Sequence, residues 1–309
     1  MSGVTDQITA EVRKVIHGKD RVINLTLCAV LAGGHVLLED IPGVGKTTLA
    51  VAFSRALSLN YRRVQFTPDV MPGDLLGFNM IDKESGEFRF VAGSIYTNLF
   101  LADEINRTSP KTQSALLEVM EERHATVEGV TRMMPDPFFV IATENPFGSS
   151  GTQKLPESQL DRFMICLSMG YPDFENAVSV LKGDSQTDLK NVMAVADAQT
   201  LLQMQSQVKE VFVSEPLYSY IVELTELTRN PAYFALGLSP RGSIAVLKMA
   251  KAHAYVQGRN YVMPEDIHDI WGAVCNHRVR LSGRAKAAGT SVYDALNGVL
   301  GQAAVPRVN

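Results

Sequence analysis

Residues 40–48 read Asp-Ile-Pro-Gly-Val-Gly-Lys-Thr-Thr. A polyphosphate is bound by backbone N–H groups that converge without Cβ atoms in the way, and Gly43 and Gly45 allow such a turn. It also needs a mobile ammonium on its β/γ oxygens, which Lys46 supplies, and a hydroxyl for a magnesium ion, which Thr47 supplies. Pro42, Val44 and Thr48 complete the stretch expected to wrap the phosphates. The strict P-loop pattern asks for glycine where this chain has Asp40, so Gly43-x-Gly45-Lys46-Thr47 carries the reading.

A second signal is Leu99-Phe100-Leu101-Ala102-Asp103-Glu104, an apolar run that ends in two acids. A buried parallel strand delivers such carboxylates to the sheet edge where ligands bind. Asp103 is expected to hold Mg²⁺ and Glu104 to orient and polarise an attacking water. Acids also end strands for solubility; the phosphate loop upstream is what turns this ending into chemistry. Asn145 closes a further apolar run, Phe138–Thr143, where an amide could fix the lytic water, although a turn former before Pro146 would look the same. Arg162 and Arg241 are the arginines expected to reach a γ-phosphate, since a guanidinium finger accelerates phosphoryl transfer roughly 10³–10⁵-fold.

These residues need a scaffold. Five strand-length apolar runs, at 35–39, 61–66, 99–103, 138–143 and 163–168, read as strands buried on both faces of a parallel sheet. Helical spacing between them, as in Leu49, Ala50, Phe53, Ala56 and Leu57, makes the first half an α/β domain. Ser109 followed by Pro110 reads as the cap and first residue of another helix. Two hairpins interrupt the alternation. One pairs 78–82 with 88–91 around Ser85-Gly86, and the other spans 124–135 with Glu128-Gly129 at its turn. Beyond residue 182 the pattern becomes helical, at 198–211, 215–227, 239–256, 264–279 and 291–300. The expected domains are 1–182 and 183–309, carrying net charges of −5 and +1.

Composition narrows the class. Of 309 residues 46% are apolar and 20% charged, with a net charge of −4, which speaks for a globular chain and against bulk attraction to nucleic acid. Cys28, Cys166 and Cys275 lie too far apart for a zinc site and read as core thiols of a reducing compartment. The six histidines lack ligand spacing, and His253 reads as a packing residue. No signal peptide and no run of about 18 apolar residues is visible, so the expected location is cytoplasmic, with no membrane segment. The cluster Arg278, Arg280, Arg284, Lys286 is the one basic feature, and reads as a solvated helix face or a subunit contact. No Asn-Lys-x-Asp guanine reader occurs, so ATP is favoured over GTP.

In this order the motifs resemble those of AAA+ ATPases. The text around them, Leu101-Ala102-Asp103-Glu104-Ile105-Asn106-Arg107, the run from Pro110 to Glu118, Glu121-Glu122-Arg123 and Leu155–Phe163, resembles the MoxR family over nearly the whole chain. The resemblance implies an AAA+ P-loop core with a parallel sheet and inserted β-hairpins, followed by a small all-helical lid. It implies Mg²⁺-dependent ATP hydrolysis, with Lys46 and Thr47 as Walker A, Asp103 and Glu104 as Walker B, Asn145 as sensor 1, Arg162 as an arginine finger toward a neighbouring subunit and Arg241 as sensor 2. Ile16 and Gly18 match the segment passing the adenine. It further implies a homo-oligomeric ring, usually hexameric, that remodels, assembles or activates a client protein, metal-cofactor insertion included, with a von Willebrand factor A domain partner. The competing readings are a nucleic-acid motor on the same core, disfavoured by the acidic balance, and a nucleotide-bound switch, disfavoured by Glu104.

Overall fold

The computed structural model describes residues 2–41, 43–145, 155–172, 174–182 and 189–306. At its centre is a parallel sheet of five strands: β1 (Val36–Glu39), β2 (Tyr61–Gln65), β5 (Leu99–Asp103), β8 (Phe139–Glu144) and β9 (Ile165–Leu167), in the order β2-β5-β8-β1-β9. Alternate residues point to opposite faces. Val36, Leu38, Leu99, Leu101, Phe139 and Ile141 enter one apolar cluster. Leu37, Phe100, Ala102, Val140 and Ala142 enter the other. This two-sided burial explains the continuous apolar runs in the sequence. The first cluster packs α1 (Ser2–Arg13), α2 (Asp20–Leu31) and α3 (Lys46–Ala56), and extends into the C-terminal helices. The second packs α5 (Pro110–Glu122).

β2 departs from the expectation of burial on both faces. It is an edge strand on which Arg62, Arg63 and Gln65 are exposed. The two arginines are the reason, because an edge strand has one flank to solvate charged side chains.

Both hairpins form. β3 (Phe78–Ile81) pairs with β4 (Phe88–Val91), after the short α4 (Pro72–Leu76), and β6 (His124–Val127) pairs with β7 (Val130–Met133). Glu128 and Gly129 both have positive φ, 50° and 80°, the geometry of a tight two-residue hairpin turn. At the base of the first hairpin the backbone passes so close that a Cβ on Gly93 would lie 2.0 Å from the Leu75 carbonyl oxygen. The hairpins touch each other: Asn79 Nδ2 donates to Glu128 Oε2 at 2.6 Å, and the Arg132 guanidinium lies 3.6 Å over the Phe90 ring.

After α6 (Glu157–Leu160) and α7 (Phe174–Lys182) the described remainder is mainly helical: α8 (Ala198–Lys209), α9 (Glu215–Leu227), α10 (Pro240–Val256), α11 (Pro264–Cys275), α12 (Gly283–Ala287) and α13 (Val292–Leu300). Two short strands, β10 (Phe234–Leu236) and β11 (Arg280–Leu281), add an antiparallel ladder to these helices. The boundary expected at 182/183 abuts residues 183–188, which lie outside the described ones.

The basic run is not one solvated face. Arg278 is buried in an ion pair with Asp161, Nε to Oδ1 at 2.8 Å, and Arg280 pairs with Glu157 at 3.1 Å, leaving Arg284 and Lys286 exposed. All three cysteines are buried and unpaired. His253 packs as expected, its Nδ1 2.7 Å from Asp266 Oδ1. No helix among the described residues is long and apolar enough to cross a membrane.

Candidate nucleotide site

The loop from β1 to α3 leaves the C-terminal edge of the sheet. Gly43 and Gly45 have φ of +86° and +95°, so the turn requires the left-handed region that glycine alone enters without strain. α3 starts at Lys46 with Gly45 as its cap residue, and no side chain caps its first amides, which are thereby available to an anion. Lys46 Nζ donates to the carbonyl oxygens of Asp40 at 2.6 Å and Ile41 at 3.1 Å. Burial pushes its ammonium below the usual lysine range, against the opposing pull of the Asp40, Asp103 and Glu104 charges. Phosphate loop and carboxylates therefore share one electrostatic neighbourhood. Thr47 and Thr48 follow on the first turn of α3, half-buried, and Val44 packs at the margin of the core. Ile16 is buried, with its Cδ1 3.9 Å from the place a Cβ would take on Gly45, and Gly18 turns the chain with φ +67°. Pro42 lies outside the described residues.

Asp40, the departure from the strict pattern, has a structural role. Its Oδ2 accepts from the backbone N–H of Met169, from that of Gly170 at 3.1 Å and from Ser168 Oγ at 3.2 Å. The carboxylate thus staples the start of the phosphate loop to the turn after β9.

The acids sit side by side. Thr143, fully buried on β8, donates from Oγ1 to Asp103 Oδ1 at 2.6 Å and accepts from the Glu104 amide at 2.8 Å. The second Asp103 oxygen is met by Arg63, Nη2 to Oδ2 at 2.7 Å, and Glu104 Oε2 by Arg107 Nη1 at 2.7 Å. Glu104 has φ +56°, a conformation costly for a residue with a side chain and often found at functional positions. Asn145 follows the last residue of β8 at the same edge, its carbonyl accepting from Asn106 Nδ2 at 3.1 Å. The donors fit a magnesium nucleotide: amides and an ammonium for phosphate oxygens, and a hydroxyl and a carboxylate for a hard cation.

Arg162 and Arg241 lie elsewhere. Arg162 precedes β9, which runs parallel to β1 with Ile165 beside Val36, so it belongs to the N-terminal edge of the sheet. Four residues of β1 alone put about 13 Å between that edge and the phosphate loop. Arg241, on the first turn of α10, meets Arg162 there: both pair with Glu121, Arg162 Nε lying 3.1 Å from Oε2 and Arg241 Nη2 against Oε1. A cavity of about 240 Å³ lined by Gly33, His35, Arg123, Lys248 and Arg278 opens beside the pair. The structure thus brings Lys46, Asp103 and Glu104 together at one end, and Arg162 with Arg241 at the other.

Residues 35–165 match the family model "ATPase family associated with various cellular activities (AAA)", and residues 226–297 match the AAA lid domain. Chaperone MoxR1 of Mycobacterium tuberculosis is 38% identical over 97% of this chain and 81% of its own length. The protein MoxR of Methylorubrum extorquens is 32% identical over 88% and 86%. The chain belongs to the MoxR family of AAA+ ATPases. Another relative of this MoxR-type chain, YeaC of Bacillus subtilis, is 42% identical over 96% and 92%. A crystal structure from Cytophaga hutchinsonii superposes with a TM-score of 0.91, at 35% identity, covering 99% of this chain and 96% of that one.

In this MoxR-family chain the chemistry-bearing motifs assign no role to Thr143, Arg63, Glu121 or Asp161, although Glu121 and Asp161 lie in the stretches that carry the family resemblance. Thr143 is findable as a hydroxyl directly after the apolar run Phe138–Ala142, within the same strand. The other three are charged residues whose partners lie far off in sequence, and no local pattern marks those pairings.

Proposed function

We propose that this chain hydrolyses ATP with Mg²⁺ as a homo-oligomeric, hexameric ring, and uses the cycle to remodel, assemble or activate a client protein. The observation that carries the ring is the opposite placement of the phosphate loop and the Arg162–Arg241 pair. Arginines at the far edge of the sheet cannot serve their own subunit's nucleotide, but in a head-to-tail ring they face the next subunit's.

In this reading the amides of the 43–47 loop and Lys46 Nζ hold the β- and γ-phosphates, and Ile16 and Gly18 border the adenine. Thr47 Oγ1 and Asp103 would hold Mg²⁺, which when bound would neutralise charge on the phosphate oxygens. Glu104, ion-paired with Arg107, orients the attacking water and takes its proton, and Asn145 fixes that water's position. Arg162 and Arg241 of the neighbour stabilise the charge on the transferring phosphoryl group.

Chaperone activity is the reading that the mycobacterial relative, Chaperone MoxR1, supports. The hairpins offer a surface for it, since Phe78, Met80, Phe88 and Met133 are exposed on them. Domains 1–182 and 183–309 would be the units that move, with a von Willebrand factor A domain protein as partner, metal-cofactor insertion as one form of client activation, and the cytoplasm as the place.

The test is ATPase activity per subunit against concentration. We expect it to rise with assembly, and Arg162→Ala to abolish the rise while binding nucleotide normally. Mixing Lys46→Ala with Arg162→Ala subunits should restore turnover, because each supplies what the other lacks. Constant activity on dilution together with a normal Arg162→Ala enzyme would sink the ring reading.

A further inference from the structure

Glu121 sits on the last turn of α5 with one carboxylate oxygen on each of two guanidiniums, Arg162 from the sheet domain and Arg241 from the helical one. The second acid of that corner, Asp161, is engaged otherwise: its Oδ1 accepts from Arg278 Nε at 2.8 Å and its Oδ2 from Ser239 Oγ at 2.8 Å. Five cationic side chains, Arg123, Arg162, Lys248, Arg241 and Arg278, therefore line the cavity against Glu121 and Asp161.

The fit of Glu121 is incomplete. Arg162 Nε is a buried donor with no aligned hydrogen-bond acceptor, although Oε2 lies 3.1 Å away. A planar carboxylate has two oxygens and a single charge. A terminal phosphate has three oxygens and more charge, and suits paired guanidiniums better.

The arginine pair does not depend on Glu121 for its place. Ser239 caps α10, accepting from the Gly242 amide at 3.1 Å, and donates to Asp161, the residue before Arg162. Arg278 is buried against the same Asp161 and donates to the Phe163 carbonyl at 2.5 Å. These bonds fix α10 to the segment bearing Arg162, so the two guanidiniums stay neighbours when the carboxylate leaves.

We propose that Glu121 is an internal stand-in for phosphate: it occupies Arg162 and Arg241 in the free subunit and is displaced when a neighbour's nucleotide enters. The proposal rests on the reading above that these arginines serve the adjoining subunit. Assembly then includes an exchange of one anion for another, which raises the subunit concentration needed for activation. Glu121 is also three residues from the start of β6, so the exchange takes place where α5 passes into the second hairpin.

The experiment compares wild type, Glu121→Gln, Arg162→Ala and the double variant. Per-subunit ATPase is measured against protein concentration, and sedimentation is followed with a non-hydrolysable ATP analogue. Losing two charge-assisted contacts, Glu121→Gln is expected to lower the half-activating and half-assembling concentrations about tenfold. Read by sedimentation, since Arg162→Ala abolishes the rise in activity, the double variant should assemble no more readily than Arg162→Ala, because the gain acts through Arg162. Glu121→Asp, a methylene too short to span both arginines, should fall between wild type and Glu121→Gln and guards against a folding artefact. An unchanged or higher midpoint in a folded Glu121→Gln protein overturns the proposal, since Glu121 would then be organising the arginines rather than competing for them. Failure of the underlying reading looks different: wild type itself shows no concentration dependence and Arg162→Ala matches it.

Discussion

Thr143 donates its hydroxyl to Asp103 Oδ1 at 2.6 Å and in the same position accepts the Glu104 amide. One buried side chain on β8 thus sets both the rotamer of the first acid and the unusual backbone of the second. Thr143→Val keeps the shape but leaves a buried N–H and a carboxylate oxygen without that partner. The expected cost is about 1–3 kcal/mol of stability, with ATP turnover down about tenfold. Urea unfolding and phosphate release measure the two effects, and a Thr143→Val protein equal to wild type in both refutes the role.

Glu104→Gln tests the step that separates a hydrolase from a nucleotide-bound switch. The amide retains the volume but cannot take the proton of a water. Turnover is expected to fall about 10²–10⁴-fold while nucleotide affinity stays within a few-fold. Fluorescent-nucleotide titration beside a phosphate-release assay distinguishes this from simple loss of binding, and near-normal turnover would remove Glu104 from the chemistry.

Asp40 makes an opposite case, a residue inside the phosphate motif whose contacts are structural. Its carboxylate holds the turn at 168–170 through two amides and a hydroxyl. Asp40→Gly restores the strict pattern yet should destabilise the fold by about 1.5–3 kcal/mol, the range for hydrogen bonds to a charged group. No gain in nucleotide affinity is expected. Thermal unfolding with and without ATP checks both statements, and an Asp40→Gly protein that is more stable and binds more tightly would show that the staple is dispensable.

The legible part of this molecule is the part written in local pattern. The buried strands announce themselves because each feeds alternate side chains into two cores, and Gly43, Gly45 and Lys46 because a tight phosphate turn admits few alternatives. β2 reads as buried only while Tyr61, Val64 and Phe66 are weighed alone; Arg62 and Arg63 between them declare an edge. Arg162 and Arg241 can be named from sequence, yet their meeting cannot, because it depends on Glu121 and Asp161, which no motif links to both. The same holds for Arg278, which looks like one of a basic run until its burial against Asp161 is seen. Long-range ion pairs carry no sequence period; they follow from topology.

The acid limit of the fold should be set in part by buried histidines. His35 accepts the Val140 amide at Nδ1, 2.9 Å, and its Nε2 lies 2.9 Å from the Met120 carbonyl, an arrangement that fits the neutral ring. Burial lowers its pKa to about 4, with the Arg123 charge adding to the effect against the Met120 bond. Burial beside Arg278 likewise holds His277 well below the usual histidine range. An unfolded chain binds these protons near pH 6.5, so protonation favours unfolding. For His35 the stabilising contribution is full above pH 6.5 and is lost as pH falls from there toward 4, and for His277 it is lost in the same direction. For His35 alone the loss between pH 7 and pH 5 should be about 2 kcal/mol. Urea unfolding at the two pH values measures it. In His35→Gln the decline should be smaller by that amount, whatever the variant's stability at pH 7, and an undiminished pH dependence would mean that His35 is not buried neutral.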